Sequence, residues 1–207
     1  FVVDNGEGIF NKIKRLCNLD DEYQALFELS KGKLTTDPDN HTGEGIFFTS
    51  RVFDEFEIDS KGIKFSYDKK FEFDYIFQSK FSKNELGTGI YMLIKRNSTR
   101  EIQTVFTNYA TPDEFRFNKT VIPVRLAQYG NEKLVSRSQA KRLLVRLEKF
   151  QNVIFDFEGV SAIGQAFADE IFRVYAKKHP DIILLPVKME SNVEKMINRA
   201  ISSSKNK

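Results

Sequence analysis

Cysteine and tryptophan are almost absent from this chain of 207 residues, which contains one Cys and no Trp. The single thiol, Cys17, has no partner for an internal disulfide, so the sequence favours a reducing compartment and excludes a cysteine-rich metal site. No apolar run approaches the roughly 20 residues that span a bilayer, and no stretch resembles a signal peptide. These absences predict a cytoplasmic protein that is not embedded in a membrane.

Charge is distributed unevenly along the chain. Residues 1–97 contain 14 Lys/Arg and 17 Asp/Glu, a net charge of −3, whereas residues 98–207 contain 18 and 12, a net charge of +6. This asymmetry predicts two domains, 1–97 and 98–207. The basic second half is compatible with nucleic-acid binding, but its cations fall on amphipathic helices, where a solvated face is the simpler explanation. Aromatic residues are not clearly interleaved with them.

The first half alternates apolar and polar residues after two helical stretches. Asp20 is a predicted cap for a helix over 21–31, and a second helix is predicted over 45–52. Short strands are predicted at 1–3, 55–59, 63–67, 70–77 and 88–94. The span 9–42 is a long, partly helical excursion of the kind that often forms a lid.

The second half alternates strands with helices. Strands are predicted at 101–107, 120–125, 153–155 and 182–185, and helices are predicted from 136, over 165–178 and over 193–201. This order predicts an α/β layer with parallel strand pairing.

Three Gly-x-Gly pairs mark the first half: Gly6/Gly8, Gly43/Gly45 and Gly87/Gly89. Each pair lies at a predicted strand end or helix start, where glycine lets the backbone approach a ligand and a helix N-terminus offers N–H groups to anions. The sequence Gly-Glu-Gly-Ile-Phe occurs in both of the first two pairs. Together the pairs suggest a nucleotide pocket, while tight turns explain any one of them alone.

The order of these boxes resembles that of the GHKL ATPases, the superfamily of gyrase, histidine kinases, heat-shock chaperones and mismatch-repair ATPases. The matching stretches are Asp-Asn-Gly-Glu-Gly-Ile at 4–9, Thr-Gly-Glu-Gly-Ile at 42–46, and the run from Gly87-Thr88 to Ile94. The resemblance implies the fold class α/β, with an α+β sandwich of the GHKL type over residues 1–97 that is incomplete at its N-terminus.

The resemblance also implies a set of residues that bind ATP. By position, the adenine amino group would donate to the carboxylate of Asp4, backed by Thr88, and backbone N–H groups of the second box would face the phosphates. The cofactor-binding residues predicted in this way are Asp4, Gly6, Gly8, Gly43, Gly45 and Thr88. Three cationic or titratable residues on the excursion, Lys31, Lys33 and His41, could touch phosphate, but solvated loop positions are the favoured interpretation.

In this family a helix before the first box carries an Asn that holds Mg²⁺ and often a carboxylate that activates water or a hydroxyl group. Three residues precede Asp4, so the Mg²⁺ ligand of an ATP–Mg²⁺ complex is expected upstream, and no catalytic residue or metal ligand is assigned here. We expect the sequence to be a fragment rather than a degenerate domain. Whether the full-length protein acts as an ATPase or an anti-sigma-like kinase stays open.

Residues 136–150 and 153–180 resemble the STAS fold of anti-sigma-factor antagonists, and more closely the STAS-like domains of uncharacterised bacterial proteins that follow GHKL domains. The resemblance implies a smaller STAS-like α/β domain over 98–207. Ala166 stands where phosphorylated antagonists have a serine, so a phosphorylation switch is not implied.

Charged residues of the second half suggest further chemistry. The acidic residues Asp156, Glu158, Asp169 and Glu170 could be catalytic or bind a cation, but loop solvation and helix-surface charge are the favoured interpretations. One predicted helix carries a basic face made of Arg137, Lys141, Arg142 and Arg146.

The sequence therefore predicts a bacterial cytoplasmic signalling protein in which an ATP-binding, histidine-kinase-like module is fused to a STAS-like module that binds a protein partner. A homodimer is compatible with this architecture. The alternative is a non-enzymatic interaction module with a degenerate nucleotide pocket, and nucleic-acid binding through the basic second half is less favoured.

Overall fold

The computed structural model describes residues 1–68, 73–78, 87–110, 116–128 and 132–205. They form two compact units, Phe1–Asn108 and Tyr109–Lys207, and each unit contains its own sheet together with helices. This architecture confirms the predicted mixed α/β class. The boundary between the two units lies between Asn108 and Tyr109, which is later in the chain than the predicted boundary at 97/98.

The sheet of the first unit has five strands in the order β1-β5-β2-β3-β4, with antiparallel neighbours. Its strands are β1 (Val2–Val3), β2 (Glu55–Ser60), β3 (Ile63–Asp68), β4 (Phe73–Gln78) and β5 (Gly89–Leu93). Alternation buries Phe56 and Ile58 while Glu57 stays on the opposite face, where Lys64 donates to it at 2.8 Å. The predicted strands are confirmed, and they pair antiparallel, although residues 70–72 of the predicted strand 70–77 lie outside the described residues.

Three helices of the first unit contribute side chains to the hydrophobic core shared with the sheet. They are α1 (Ile9–Cys17), α2 (Glu22–Lys31) and α3 (Gly45–Val52). The cap of α2 is Asp21, one residue beyond the predicted Asp20, and its carboxylate accepts from the N–H of Gln24 at 2.7 Å. Because Ala25 and Leu26 of α2 are wholly buried, this helix belongs to the core, and the proposal that the whole excursion 9–42 forms a lid is wrong.

The predicted strand at 101–107 is also wrong, because Ile102–Tyr109 form a helix, α4. Its β-branched residues favoured a strand, but Ile102, Val105 and Phe106 recur at helical spacing. Phe106 contacts Phe48 of α3, with ring centroids 4.3 Å apart. Both residues belong to the first unit, which ends at Asn108, one residue before the end of α4.

The second unit has a three-stranded parallel sheet in the order β6-β7-β8, which confirms the predicted parallel pairing. The strands are β6 (Lys119–Pro123), β7 (Asn152–Asp156) and β8 (Ile183–Val187), and short 3₁₀ turns cover Val124–Ala127 and Leu147–Lys149. Helices connect the strands, as parallel pairs require. Alternate residues of the central strand, Val153 and Phe155, are completely buried.

The helices of the second unit are α5 (Arg137–Leu144), α6 (Gln165–Asp169), α7 (Ala176–Lys178) and α8 (Ser191–Lys205), and a π-helical segment, Glu170–Tyr175, joins α6 to α7. A capping box starts α5: the Ser136 hydroxyl accepts from the N–H of Gln139 at 3.2 Å, and the Gln139 side chain accepts from the N–H of Ser136 at 2.9 Å. Among the described residues, no helix is long and apolar enough to cross a membrane.

Candidate functional site

The first glycine box and the start of β5 are joined by hydrogen bonds through Asp4. The Asp4 backbone N–H donates to the Thr88 carbonyl at 3.0 Å. Its carboxylate oxygen Oδ1 accepts from the N–H groups of Gly6 at 2.7 Å and Thr88 at 3.2 Å. Two bonds to one oxygen fix the carboxylate and leave Oδ2 with no hydrogen bond to any residue that the structure describes. The side chain is thus held in place with one acceptor oxygen available.

Thr88 also connects this group to helix α1. Its hydroxyl Oγ1 accepts from the N–H of Ile9 at 2.9 Å, which satisfies an otherwise unpaired amide at the helix N-terminus. Gly8 precedes the helix with φ +84°, and a Cβ there would lie 2.6 Å from the Ser60 hydroxyl. A residue with a side chain would therefore disturb the junction, so Gly8 is required by both backbone conformation and space.

A cavity of about 430 Å³ lies beside α1. Its walls come from α1, the end of α2, the following loop and the second glycine box. The lining residues are Ile9, Lys12, Ile13, Leu29, Leu34, Thr35, Thr36, His41, Thr42, Gly43, Glu44, Gly45 and Ile46. Ile9 thus connects the two features, because its amide bonds to Thr88 while the residue lines the cavity.

The two glycines of the second box have different local surroundings. Gly43 has φ +74°, and a Cβ there would lie 2.5 Å from the backbone carbonyl group of Leu34, so the close approach of the two loops requires glycine. A Cβ at Gly45 would meet no atom within 4 Å. Gly45 begins α3, and no side chain caps the amino end of that helix. Open space and the N–H groups at the start of α3 therefore occur together at Gly45, and such an arrangement is suited to binding an anion.

The cations of α1 differ in their partners. Lys14 pairs with Glu22 at 3.1 Å, and Arg15 pairs with Glu7 at 2.7 Å. The hydrogen bond from Arg15 holds the pKa of the Glu7 carboxyl below its usual range. Lys12, the cation of α1 that lines the cavity, is exposed, and its ammonium group makes no hydrogen bond or ion pair with any described residue.

The six predicted cofactor-binding residues therefore fall into two groups. Gly43 and Gly45 line the cavity, whereas Asp4, Gly6 and Thr88 form a hydrogen-bonded cluster at the amino end of α1, next to Gly8, which precedes the helix. His41 lines the cavity, as a phosphate contact would require. Sequence reasoning missed Lys12, which lies three residues after Ile9 and therefore on the same side of α1 as Ile9.

The position of Lys31 contradicts both interpretations given above, which were that it is a solvated loop residue or that it contacts phosphate. Lys31 lies in α2 with 2% of its side chain exposed and pairs with Glu28 at 2.6 Å. Its ammonium group also lies 4.6 Å from the centroid of the Phe27 ring. Because α2 continues through Lys31, the side chain folds back over the preceding turn, where it is paired inside the unit.

A second cavity, of about 490 Å³, lies in the second unit between Arg137, α6 and Ser203. Its charged residues pair with one another. Arg173 donates to both carboxylate oxygens of Asp169 and keeps the pKa of that carboxyl below its usual range. Arg137 lies 3.5 Å from Asp169 and 3.8 Å from Glu170. Ala166, which the resemblance aligns with the serine of phosphorylated antagonists, lines the same cavity.

The other predicted acidic residues lie at the carboxyl end of β7. Lys188 bridges them, at 2.6 Å from Glu158 and 3.1 Å from Asp156. The hydrogen bond to Glu158 raises the pKa of Lys188. The four acidic residues thus form two separate ion-paired groups, and no set of three metal-binding side chains occurs within the described ranges.

Comparison with known families identifies part of the second unit. Residues 139–194 match the model of the STAS-like domain of unknown function (DUF4325). The second unit carries a STAS-like domain. The match includes β7, the helical stretch that starts at Gln165, and β8, and therefore most of the elements on which the sequence resemblance was based.

No curated protein matches the chain, and no solved structure matches it. The family match does not extend into the first unit. The GHKL resemblance of the glycine boxes, and the roles it implies for Asp4 and the other five residues, therefore stay predictions.

Proposed function

We propose that the first unit binds an adenine nucleotide at the junction of α1 with the two glycine boxes, and that the STAS-like domain contacts a protein partner in a signalling protein. One observation carries the proposal. Asp4, Thr88 and the second glycine box are far apart in sequence, yet all lie around α1, where a fixed carboxylate and a cavity with a helix N-terminus adjoin.

The base would be recognised by Asp4. Oδ1 is already bonded to two backbone N–H groups, so Oδ2 is the acceptor that remains for the amino group of adenine. A carboxylate accepts but does not donate, so it pairs with the adenine amino group and is mismatched with the guanine O6 acceptor. The Asp4 carboxylate, held by the N–H groups of Gly6 and Thr88, would therefore make the site prefer ATP to GTP.

The phosphates would occupy the cavity beside Gly45. The open space at Gly45 accommodates a phosphate group. The N–H groups at the start of α3 have no side-chain cap, and nucleotide-binding proteins use such helix N-termini as anion sites. A volume of about 430 Å³ is of the size that small-molecule ligands occupy. ATP thus fits the residues present, and Mg²⁺ would enter with it.

The second module would transmit nucleotide state to a protein partner. Anti-sigma kinases and their antagonists use GHKL and STAS folds on separate chains, so a fused pair is consistent with a regulatory role. This step rests on fold-level analogy.

The test is calorimetric titration of the full chain with ATP and with GTP, comparing the wild type with Asp4→Asn. In the variant the amide oxygen can still accept from Gly6 and Thr88, while the second oxygen becomes an NH₂ donor. We expect ATP affinity to fall about tenfold or more and the preference for ATP over GTP to disappear.

Asp20→Asn is the matched control, because Asp20 is exposed and the cap of α2 is its neighbour Asp21. It should bind ATP as the wild type does. Equal ATP affinity in wild type and Asp4→Asn would refute the base assignment. A wild type that binds neither nucleotide would favour the interaction module without a working pocket.

A further inference from the structure

Lys12 differs from its neighbours on α1 in making no direct ion pair with any described residue, although its charge contributes, after the hydrogen bond from Arg15, to the lowered pKa of Glu7. Lys14 and Arg15 each hold a carboxylate within 3.1 Å, whereas the Lys12 ammonium group makes no such contact in the described part of the chain. Long cationic side chains that serve only solubility are common on helix surfaces, but Lys12 also forms part of a cavity wall.

The local structure holds Lys12 at that wall. Its backbone N–H donates to the Gly8 carbonyl at 3.0 Å, which places it one turn into the helix. Ile9 and Ile13 line the cavity with it, and Ile13 is only 6% exposed, so this side of α1 is anchored by packing. The Lys12 ammonium group therefore projects from a rigid helix and not from the loop that supplies the opposite wall.

We propose that Lys12 is the residue that binds the phosphate chain of the nucleotide and sets the preference of the site for ATP over adenosine; this rests on the proposed function of the cavity. Lys12 would contribute a positive charge from one wall while Gly45 and the start of α3 contribute backbone N–H groups from the other. Glu44 is the carboxylate of the lining and would oppose the same phosphates.

Two variants with opposite expected effects test this proposal. Titrations of the full chain are done in EDTA, so that no divalent metal mediates the contact, with ATP and with uncharged adenosine. Lys12→Ala should bind ATP about tenfold more weakly and adenosine as the wild type does. Glu44→Gln should bind ATP at least as tightly as the wild type, because it removes a repulsive charge.

Lys95→Ala is the matched control, since Lys95 is an exposed cation of the same unit that lies outside the cavity lining. It should leave ATP binding unchanged. Wild-type ATP affinity in Lys12→Ala, or weaker ATP binding in Glu44→Gln, would overturn the assignment of Lys12 and leave the nucleotide proposal standing. If the wild type binds neither ATP nor adenosine, in EDTA or with Mg²⁺ added, the nucleotide proposal itself fails.

Discussion

The cavities of the two units are similar in volume, about 430 and 490 Å³, but their polar groups are arranged differently. In the first unit, glycine backbone shapes the wall and Lys12 faces the space without a direct ion pair to any described residue. In the second unit, Arg137 and Arg173 face Asp169 and Glu170 and pair with them. Volume alone therefore does not distinguish a binding site from a cleft whose charges are already satisfied.

Ion pairing within the protein determines which charged groups can bind a ligand. A charged group that is ion-paired within the protein must lose that pair before it can bind a ligand, whereas a solvated lysine loses only its contacts with water. The first cavity is consequently the better candidate for an anionic small molecule. The paired groups of the second cavity are better explained as contributors to the stability of the STAS-like domain.

The largest expected effect is at Gly43, where glycine backbone forms the wall of the first cavity. Gly43→Ala would place a Cβ 2.5 Å from the Leu34 backbone in a left-handed conformation, so we expect the first unit to lose about 3 kcal/mol of stability. Hydrogen-exchange mass spectrometry of the full chain, read separately for peptides of each unit, measures the loss.

Gly45→Ala is the control for that substitution. Open space surrounds the position and alanine favours helix, so its stability should be equal to the wild type or higher by up to about 1 kcal/mol. The two alanine variants should therefore differ sharply in exchange protection. Similar exchange protection in Gly43→Ala and Gly45→Ala would mean that the backbone conformation of Gly43 does not determine this wall of the first cavity.

In the second cavity the corresponding change is Arg173→Ala. It removes two hydrogen bonds to Asp169, whose side chain is 14% exposed, but Arg137 remains nearby. Because Arg173 is itself 30% exposed, we expect only a small loss of stability. Chemical denaturation followed by circular dichroism measures it, and Lys177→Ala, an exposed cation of the same helical stretch, should be neutral. A neutral Arg173→Ala would show that the pairing does not stabilise the domain.

Sequence patterns predicted the framework of both units because it depends on local alternation. Phe56 and Ile58 alternate with acidic residues, which is sufficient for a half-buried strand, and Ser136 with Gln139 marks a helix start directly. The pairing order of β1 with β5 was not predictable in the same way, because it depends on contacts across most of the first unit.

The site was predictable only where glycine marked it. Lys12 was missed because residues 9–42 were treated as one excursion, and no local signal distinguishes a cavity-facing lysine from a solvated one. Lys31 was misplaced because the sequence pattern does not show that its side chain is buried against Glu28 and Phe27 of the same helix. The local pattern gives residue types and spacing, but partners depend on tertiary packing.

The pairing in the second cavity also predicts how stability depends on pH. The hydrogen bond from Arg173 lowers the pKa of Asp169 in the folded state, so this contribution is present above the ordinary carboxyl pKa of about 4 and is lost as pH falls through the lower folded value. Asp169→Asn should therefore flatten the decline in stability of the second unit below about pH 4. Denaturation series at several pH values measure the slope, and an unchanged slope would contradict the assignment.

The smallest expected effect on stability is at Lys12, and it is the one that separates the two cavities most clearly. Lys12→Ala removes an exposed side chain with no ion pair among the described residues, so the free energy of unfolding without ligand should change by less than about 0.5 kcal/mol. The same denaturation measurement at one fixed ATP concentration well above Kd should show a smaller stabilisation of the variant than of the wild type, because the stabilisation by a ligand rises with the logarithm of its affinity. A loss of stability without ligand would instead place Lys12 among the structural cations, as Arg173 is in the second cavity.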